Sequence, residues 1–137
     1  MGCAEYARAI EAYNGAVIGM PDEAAIYSNR ALCYMHEKEY DKSLQDAETC
    51  IKLMPEWAKG WYRYGRTLMF MERYEDSVEY FKKADELEPG NPEIRRCLRE
   101  AEGLEYNQRA TLANTMGQPL PQQPLRRPNI AEPKFEP

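Results

Sequence analysis

Histidine is nearly missing from this chain: its 137 residues contain one, His36. A lone imidazole with no carboxylate or second ligand at a defined offset leaves no catalytic dyad and no metal site to assemble. The four cysteines, Cys3, Cys33, Cys50 and Cys97, form no C-x-x-C pair. Neither a zinc site nor a redox motif is written there, and in their helical context they read as small apolar core residues. No nucleophile stands beside a base and no glycine-rich loop is shaped for phosphate, so the sequence implies no enzyme and no cofactor. Basic charge is short as well, with 18 Lys and Arg against 23 Asp and Glu. A net charge of -5 repels a phosphate backbone, which argues against nucleic acid as a partner. No apolar run approaches the roughly 20 residues of a membrane helix, and no secretory leader opens the sequence. Met1-Gly2-Cys3 begins like a myristoylation signal, but Tyr6 stands where that signal needs Ser or Thr. The expectation is one soluble, cytoplasmic domain with no membrane attachment.

What the chain does have is a period. Tyr6, Tyr40 and Tyr74 recur every 34 residues; so do Pro21, Pro55 and Pro89, and so do the branched apolar residues Ile10, Leu44 and Val78. That interval is the length of a helix-turn-helix repeat. Within it the apolar spacing is helical. Tyr27, Ala31 and Tyr34 share one stripe, and Trp61, Gly65 and Leu68 share the matching stripe one period on. Small residues at Ala31 and Gly65 admit a neighbouring helix, large ones at Tyr27 and Trp61 fill the space beside them, and Ala16, Cys50 and Ala84 serve the second helices alike. Each proline ends a helix, and Asp22 and Asn91 are placed to cap the next, with Pro92 suited to a first helical turn.

These residues resemble the tetratricopeptide-repeat family over about Glu5 to the late nineties. Its pattern is supplied by Tyr27, Ala31, Tyr34, Ser43, Ala47, Cys50 and Pro55 in residues 24–57, and by Trp61, Gly65, Leu68, Ser77, Phe81, Ala84 and Pro89 in residues 58–91. Ala47 departs from the family's aromatic, which predicts looser packing there. The resemblance implies an all-α helix-turn-helix solenoid of about two and a half repeats. Ala9, Tyr13 and Ala16 match only a second helix, so the first unit is half-built. Ile10, Tyr13 and Val17 then lack a covering neighbour, and burying such a side chain is worth roughly 1.5 to 3 kcal/mol. A second copy of the chain, a partner protein or a folded-back tail would cover them; alternatively the chain is a truncated piece of a longer protein.

Residues 92 to about 116 carry Ile94, Leu98, Ala101 and Leu104 at helical intervals, the pattern of a terminal capping helix. Beyond it, six prolines at 119, 121, 124, 128, 133 and 137 predict an extended, polyproline-like tail. The expected organisation is a repeat domain with its cap over residues 1–116 and a proline-rich tail over 117–137. Residues 121–126 of the tail fit the P-x-x-P-x-Arg form bound by SH3 grooves.

In such a solenoid the first helices line the concave wall, where a guest meets residues off the packing stripe. Here these are Ala25, Ser28, Asn29, Leu32, Met35 and His36, then Lys59, Tyr62, Arg63, Arg66, Met69 and Phe70. Lys59, Arg63 and Arg66 stand at i, i+4 and i+7, so three cations share one helical face of an acidic protein. A solvated charged face is the plain reading of such a row. Residues 26–30 and 58–63 resemble the carboxylate-clamp tetratricopeptide domains of heat-shock co-chaperones, which hold a C-terminal Glu-Glu-Val-Asp peptide. By that resemblance Asn29 bonds the peptide backbone or terminal carboxylate, Lys59 a carboxylate, and Arg63 a side-chain carboxylate or carbonyl; Arg66 is an extra cation beside them, and Tyr62 and Met35 line the same wall by their helical position. Charge-assisted bonds of this kind are strong, and a forked guanidinium fixes direction as well as charge. The family's clamp also uses a Lys and an Asn from the first helix of the first unit, which this sequence lacks. The implied partner is an acidic chaperone peptide. The rival is a structural subunit that docks, or self-associates, through its open N-terminal edge and its tail.

Overall fold

The computed structural model describes residues 3–120, and of Cys3 and Ala4 the backbone alone. Six helices follow one another: α1 (Cys3–Gly19), α2 (Ala24–His36), α3 (Tyr40–Leu53), α4 (Ala58–Phe70), α5 (Tyr74–Leu87) and α6 (Pro92–Thr115). Among the described residues there is no strand. The pairs α2–α3 and α4–α5 are the two complete units, α1 is the second helix of an earlier unit, and α6 follows as a cap. The first helices touch one another, α2 on α4 and α4 on α6, whereas α1, α3 and α5 make no mutual contact. The stack therefore curves, with α2, α4 and α6 on its inner wall.

The period repeats in the hydrogen bonds. The Tyr27 hydroxyl donates to the Pro21 carbonyl at 2.8 Å, and the Trp61 indole N–H donates to the Pro55 carbonyl at 2.9 Å. Each aromatic thus ties its own helix to the proline turn before it. The C-termini of α2 and α4 close alike, with Lys38 and Glu72 both at φ 63°. The Lys38 and Glu39 amides return to the carbonyls of Met35 and Tyr34, and those of Glu72 and Arg73 to Met69 and Leu68. That is a Schellman closure with a charged residue where glycine is usual.

Elsewhere one joint is built from different chemistry in the two units. Arg30 grips Asp46 with two bonds of 2.7 Å and donates to the Asn14 side chain at 2.8 Å, joining α1, α2 and α3. One period later the positions of Arg30 and Asp46 hold Tyr64 and Tyr80, whose rings stack 4.2 Å apart. The core is centred on α4, α5 and α6, where Tyr62, Val78, Phe81, Ala84, Ile94, Cys97 and Ala101 pack together. Cys33, Cys50 and Cys97 are buried free thiols, and burial pushes the Cys50 thiol up to about 11.

One expectation is corrected. Asp22 does not cap α2: the N-cap is Glu23, without a side-chain bond, because the helix begins one residue later than Asp22 requires. Asn91 does cap α6, accepting from the amides of Glu93 and Ile94. Ala47 leaves no solvent-open gap, since it and Ala31 are both fully enclosed. The half-built first unit is as read. α1 packs on α2 alone, Ile10, Tyr13 and Val17 are half-buried, and Ile18 and Met20 are 83 % and 55 % exposed. The tail from residue 121, with its P-x-x-P motif, lies outside the described residues, as do Met1 and Gly2.

Candidate functional site: a basic inner groove

The inner wall collects the cations that the sequence singled out. Lys59 is exposed at the start of α4, its ammonium 5.8 Å from the Trp57 ring. Arg63, one turn on, is half-buried, and its Nε donates to the Ser28 hydroxyl of α2 at 3.4 Å. Asn29 is exposed beside Ser28. Arg66 lies between two rings, its guanidinium 5.8 Å from Tyr62 and 5.5 Å from Phe70. One Arg66 N–H donates to the Tyr62 hydroxyl at 3.1 Å, while its Nε is buried and has no partner.

Electrostatics separates this group from the arginines that hold ion pairs. Arg30 has Asp46, Arg73 has Asp76, Arg95 has Asp85 and Arg96 approaches Glu93. Arg63 and Arg66 are half-buried, yet no carboxylate bridges either among the described residues. Burial pushes the Arg63 guanidinium below its ordinary value, although an arginine still keeps its proton near neutrality. A partly desolvated charge without a counter-ion is costly, and an entering anion would relieve it. The wall is thus chemically suited to accept a carboxylate. Among the described residues no metal-binding cluster of His, Cys, Asp and Glu occurs.

Three residues read as guest-facing are covered instead. Ser28, Met35 and Tyr62 are 0 %, 5 % and 8 % exposed. The first helices touch, so side chains on the side toward the next helix are covered by it. Tyr62 reaches α6, where its hydroxyl donates to Glu93 at 2.6 Å. That network also holds Cys97, whose thiol lies 3.8 Å from the same hydroxyl. Sequence reading left α6 out of the site. One more step of 34 residues would have included it, because Lys59, Tyr62, Arg63, Arg66 and Phe70 map onto Glu93, Arg96, Cys97, Glu100 and Leu104.

Residues 24–57 and 58–91 each match a tetratricopeptide-repeat family model. Over 98 residues the chain is 40 % identical to the Hsp70-Hsp90 organizing protein of Triticum aestivum, a match that covers 69 % of this chain and 17 % of that one. The chain spans 17 to 18 % of the length of the first curated relatives it matches. Among solved structures, the second tetratricopeptide domain of human RPAP3, in complex with the HSP70 peptide SGPTIEEVD, is 26 % identical with a TM-score of 0.67, covering 72 % of this chain and 82 % of that one. The Sgt2 tetratricopeptide domain from Aspergillus fumigatus is 26 % identical with a TM-score of 0.70, covering 93 % and 82 %. Repeat period, helix pairing and family models agree that this chain carries a tetratricopeptide-repeat solenoid and belongs to that family.

Proposed function

We propose that the chain is a cytoplasmic co-chaperone-type binding module, not an enzyme. Its inner groove receives the acidic C-terminal peptide of a heat-shock chaperone, with Asn29, Lys59 and Arg63 as the polar contacts and Arg66 at the far end. The observation that carries this reading is the half-buried Arg63, one turn from Lys59 and without a carboxylate partner. Its charge is desolvated in advance, so a guest carboxylate supplies what the fold withholds. The likeness to the Hsp70-Hsp90 organizing protein and to a domain solved with an HSP70 peptide supports the same reading. Titration of the peptide SGPTIEEVD by calorimetry tests it. Binding should weaken with salt and fall at least tenfold in Lys59→Ala and in Arg63→Ala, since each charged hydrogen bond is worth about 1.5 to 3 kcal/mol. Unaltered affinity in both variants would remove the reading.

The exposure of Ile18 in the last turn of α1 and of Met20 just after it favours one further role, docking of the N-terminal edge on a neighbour in an assembly or on a second copy. Light scattering would show this as self-association, and a monodisperse monomer would argue against a second copy.

A further inference from the structure

The repeat itself shows which face of α1 lacks a cover. Ala9, Tyr13 and Ala16 stand one period before Ser43, Ala47 and Cys50, and two before Ser77, Phe81 and Ala84. Those counterparts are all fully buried, because they lie where each second helix receives its own first helix. Ser43 bonds the Ala31 carbonyl, the Cys50 thiol donates to the Ala24 carbonyl at 3.5 Å, and Phe81 lies against Gly65. α1 packs on α2 alone, and its Ala9, Tyr13 and Ala16 are only half-buried. We infer that the occupant of this face is the same face of a second copy, turned antiparallel about a twofold axis level with the Asn14–Gly15 step. This rests on the docking role of the N-terminal edge given above and commits it to one partner.

Three observations select this arrangement. The first is shape. Tyr13 and the exposed Met20 are seven residues apart, as are Ala9 and Ala16, so a large row and a small row run side by side with the same step of about 10.5 Å. An antiparallel copy lays one row on the other. Tyr13 of each copy covers Ala16 of the other and Met20 covers Ala9, all in a single register, and the small side chains let the two helices approach closely. The second is charge. That register brings Arg8 of each copy opposite Pro21 of the other, beside Asp22. Both charged residues are exposed, and neither holds a salt bridge among the described residues. Two ion pairs thus close the ends of the interface and fix its register. The third is an exclusion. Head-to-tail stacking would require α6 to offer α1 the stripe of a first helix, but the positions of Trp61, Gly65 and Leu68 one period on hold Arg95, Arg99 and Glu102. Charge stands there where α1 needs apolar surface, which leaves the closed twofold pair. Because the pair is made through α1, each copy keeps its groove on α2, α4 and α6, and the assembly is bivalent.

The test is sedimentation equilibrium of the full chain over a wide concentration range, with no peptide present. The native chain should show a monomer–dimer equilibrium and no larger species. Arg8→Glu and Asp22→Arg, each alone, should weaken the dimer about tenfold or more, since like charges then meet at both ends of the interface. The double variant, with both pairs reversed, should return it to near native strength; both positions are on the surface, and circular dichroism checks that every variant folds. A native chain that stays monomeric throughout overturns the second copy as occupant and leaves docking on another protein. A dimer of native strength in both single variants, or a double variant no tighter than the single ones, overturns the antiparallel register while the docking role stands. Species that keep growing with concentration overturn the closed pair.

Discussion

Gly65 and Phe81 meet so closely that a β-carbon on Gly65 would stand 2.9 Å from the ring. Phe81 is fully buried, as is its counterpart Ala47 one unit earlier, which belongs to the unit where Ala31 replaces the glycine. A large ring accompanies no β-carbon in one unit, and a methyl accompanies a methyl in the other. Gly65→Ala should therefore destabilise the chain by about 1 to 3 kcal/mol through overpacking. Urea midpoints measure it, and combination with Phe81→Leu should recover part of the loss, because the two sites share one contact.

The two serines at the equivalent positions 43 and 77 should respond in opposite ways. The Ser43 hydroxyl bonds the Ala31 carbonyl at 2.9 Å and meets the Thr67 hydroxyl at 2.8 Å. The Ser77 hydroxyl is buried without a partner, and Ala101 stands at the position one period after Thr67. Ser43→Ala should cost about 1 kcal/mol, whereas Ser77→Ala should be neutral or stabilising. Thermal or urea unfolding of the two variants side by side reads the difference.

Lys38 and Glu72 hold a left-handed conformation that L side chains resist. Replacement of either by glycine should raise stability by about 0.5 to 1 kcal/mol, the relief of strain exceeding the added freedom of the unfolded chain. The double variant should show nearly the sum, since the two turns are separate sites.

Burial of Cys50 sets a pH limit. Its thiol is raised from 9.0 in the unfolded chain to about 11 when folded. The stabilisation is complete below about pH 9 and is lost as pH climbs through about 11, because the unfolded chain releases the proton first. The loss is on the order of 2 kcal/mol. Unfolding free energies between pH 8 and 11 should fall more steeply for the native chain than for Cys50→Ala.

Much of this architecture was legible because a 34-residue period constrains several columns at once. The prolines, the stripe aromatics Tyr27 and Trp61, and the small residues Ala31 and Gly65 each report the same helix pair. The half unit followed from counting back from Pro21. What escaped is what depends on neighbours. Met35 and Tyr62 lie on the groove side of their helices, yet only the contact between first helices decides that they are covered. Asp22 has the right chemistry for a cap but misses the helix start by one residue. The α6 wall was hidden because Glu93, Arg96, Cys97 and Glu100 share no residue type with the positions they repeat, so register alone could reveal them. Nor does sequence distinguish the paired Arg30 from the unpaired Arg63, a difference created by where Asp46 sits.

The claim on which the functional account rests is that Lys59 and the unpaired Arg63 receive a carboxylate from the guest. The most direct measurement compares SGPTIEEVD as its free acid, as its C-terminal amide, and with both glutamates changed to glutamine, by calorimetry on the native chain at low and moderate salt. The account predicts that the free acid binds best, that removing either set of charges weakens binding by about tenfold or more, and that the differences shrink as salt rises. Equal affinity for all three peptides, independent of salt, would contradict it.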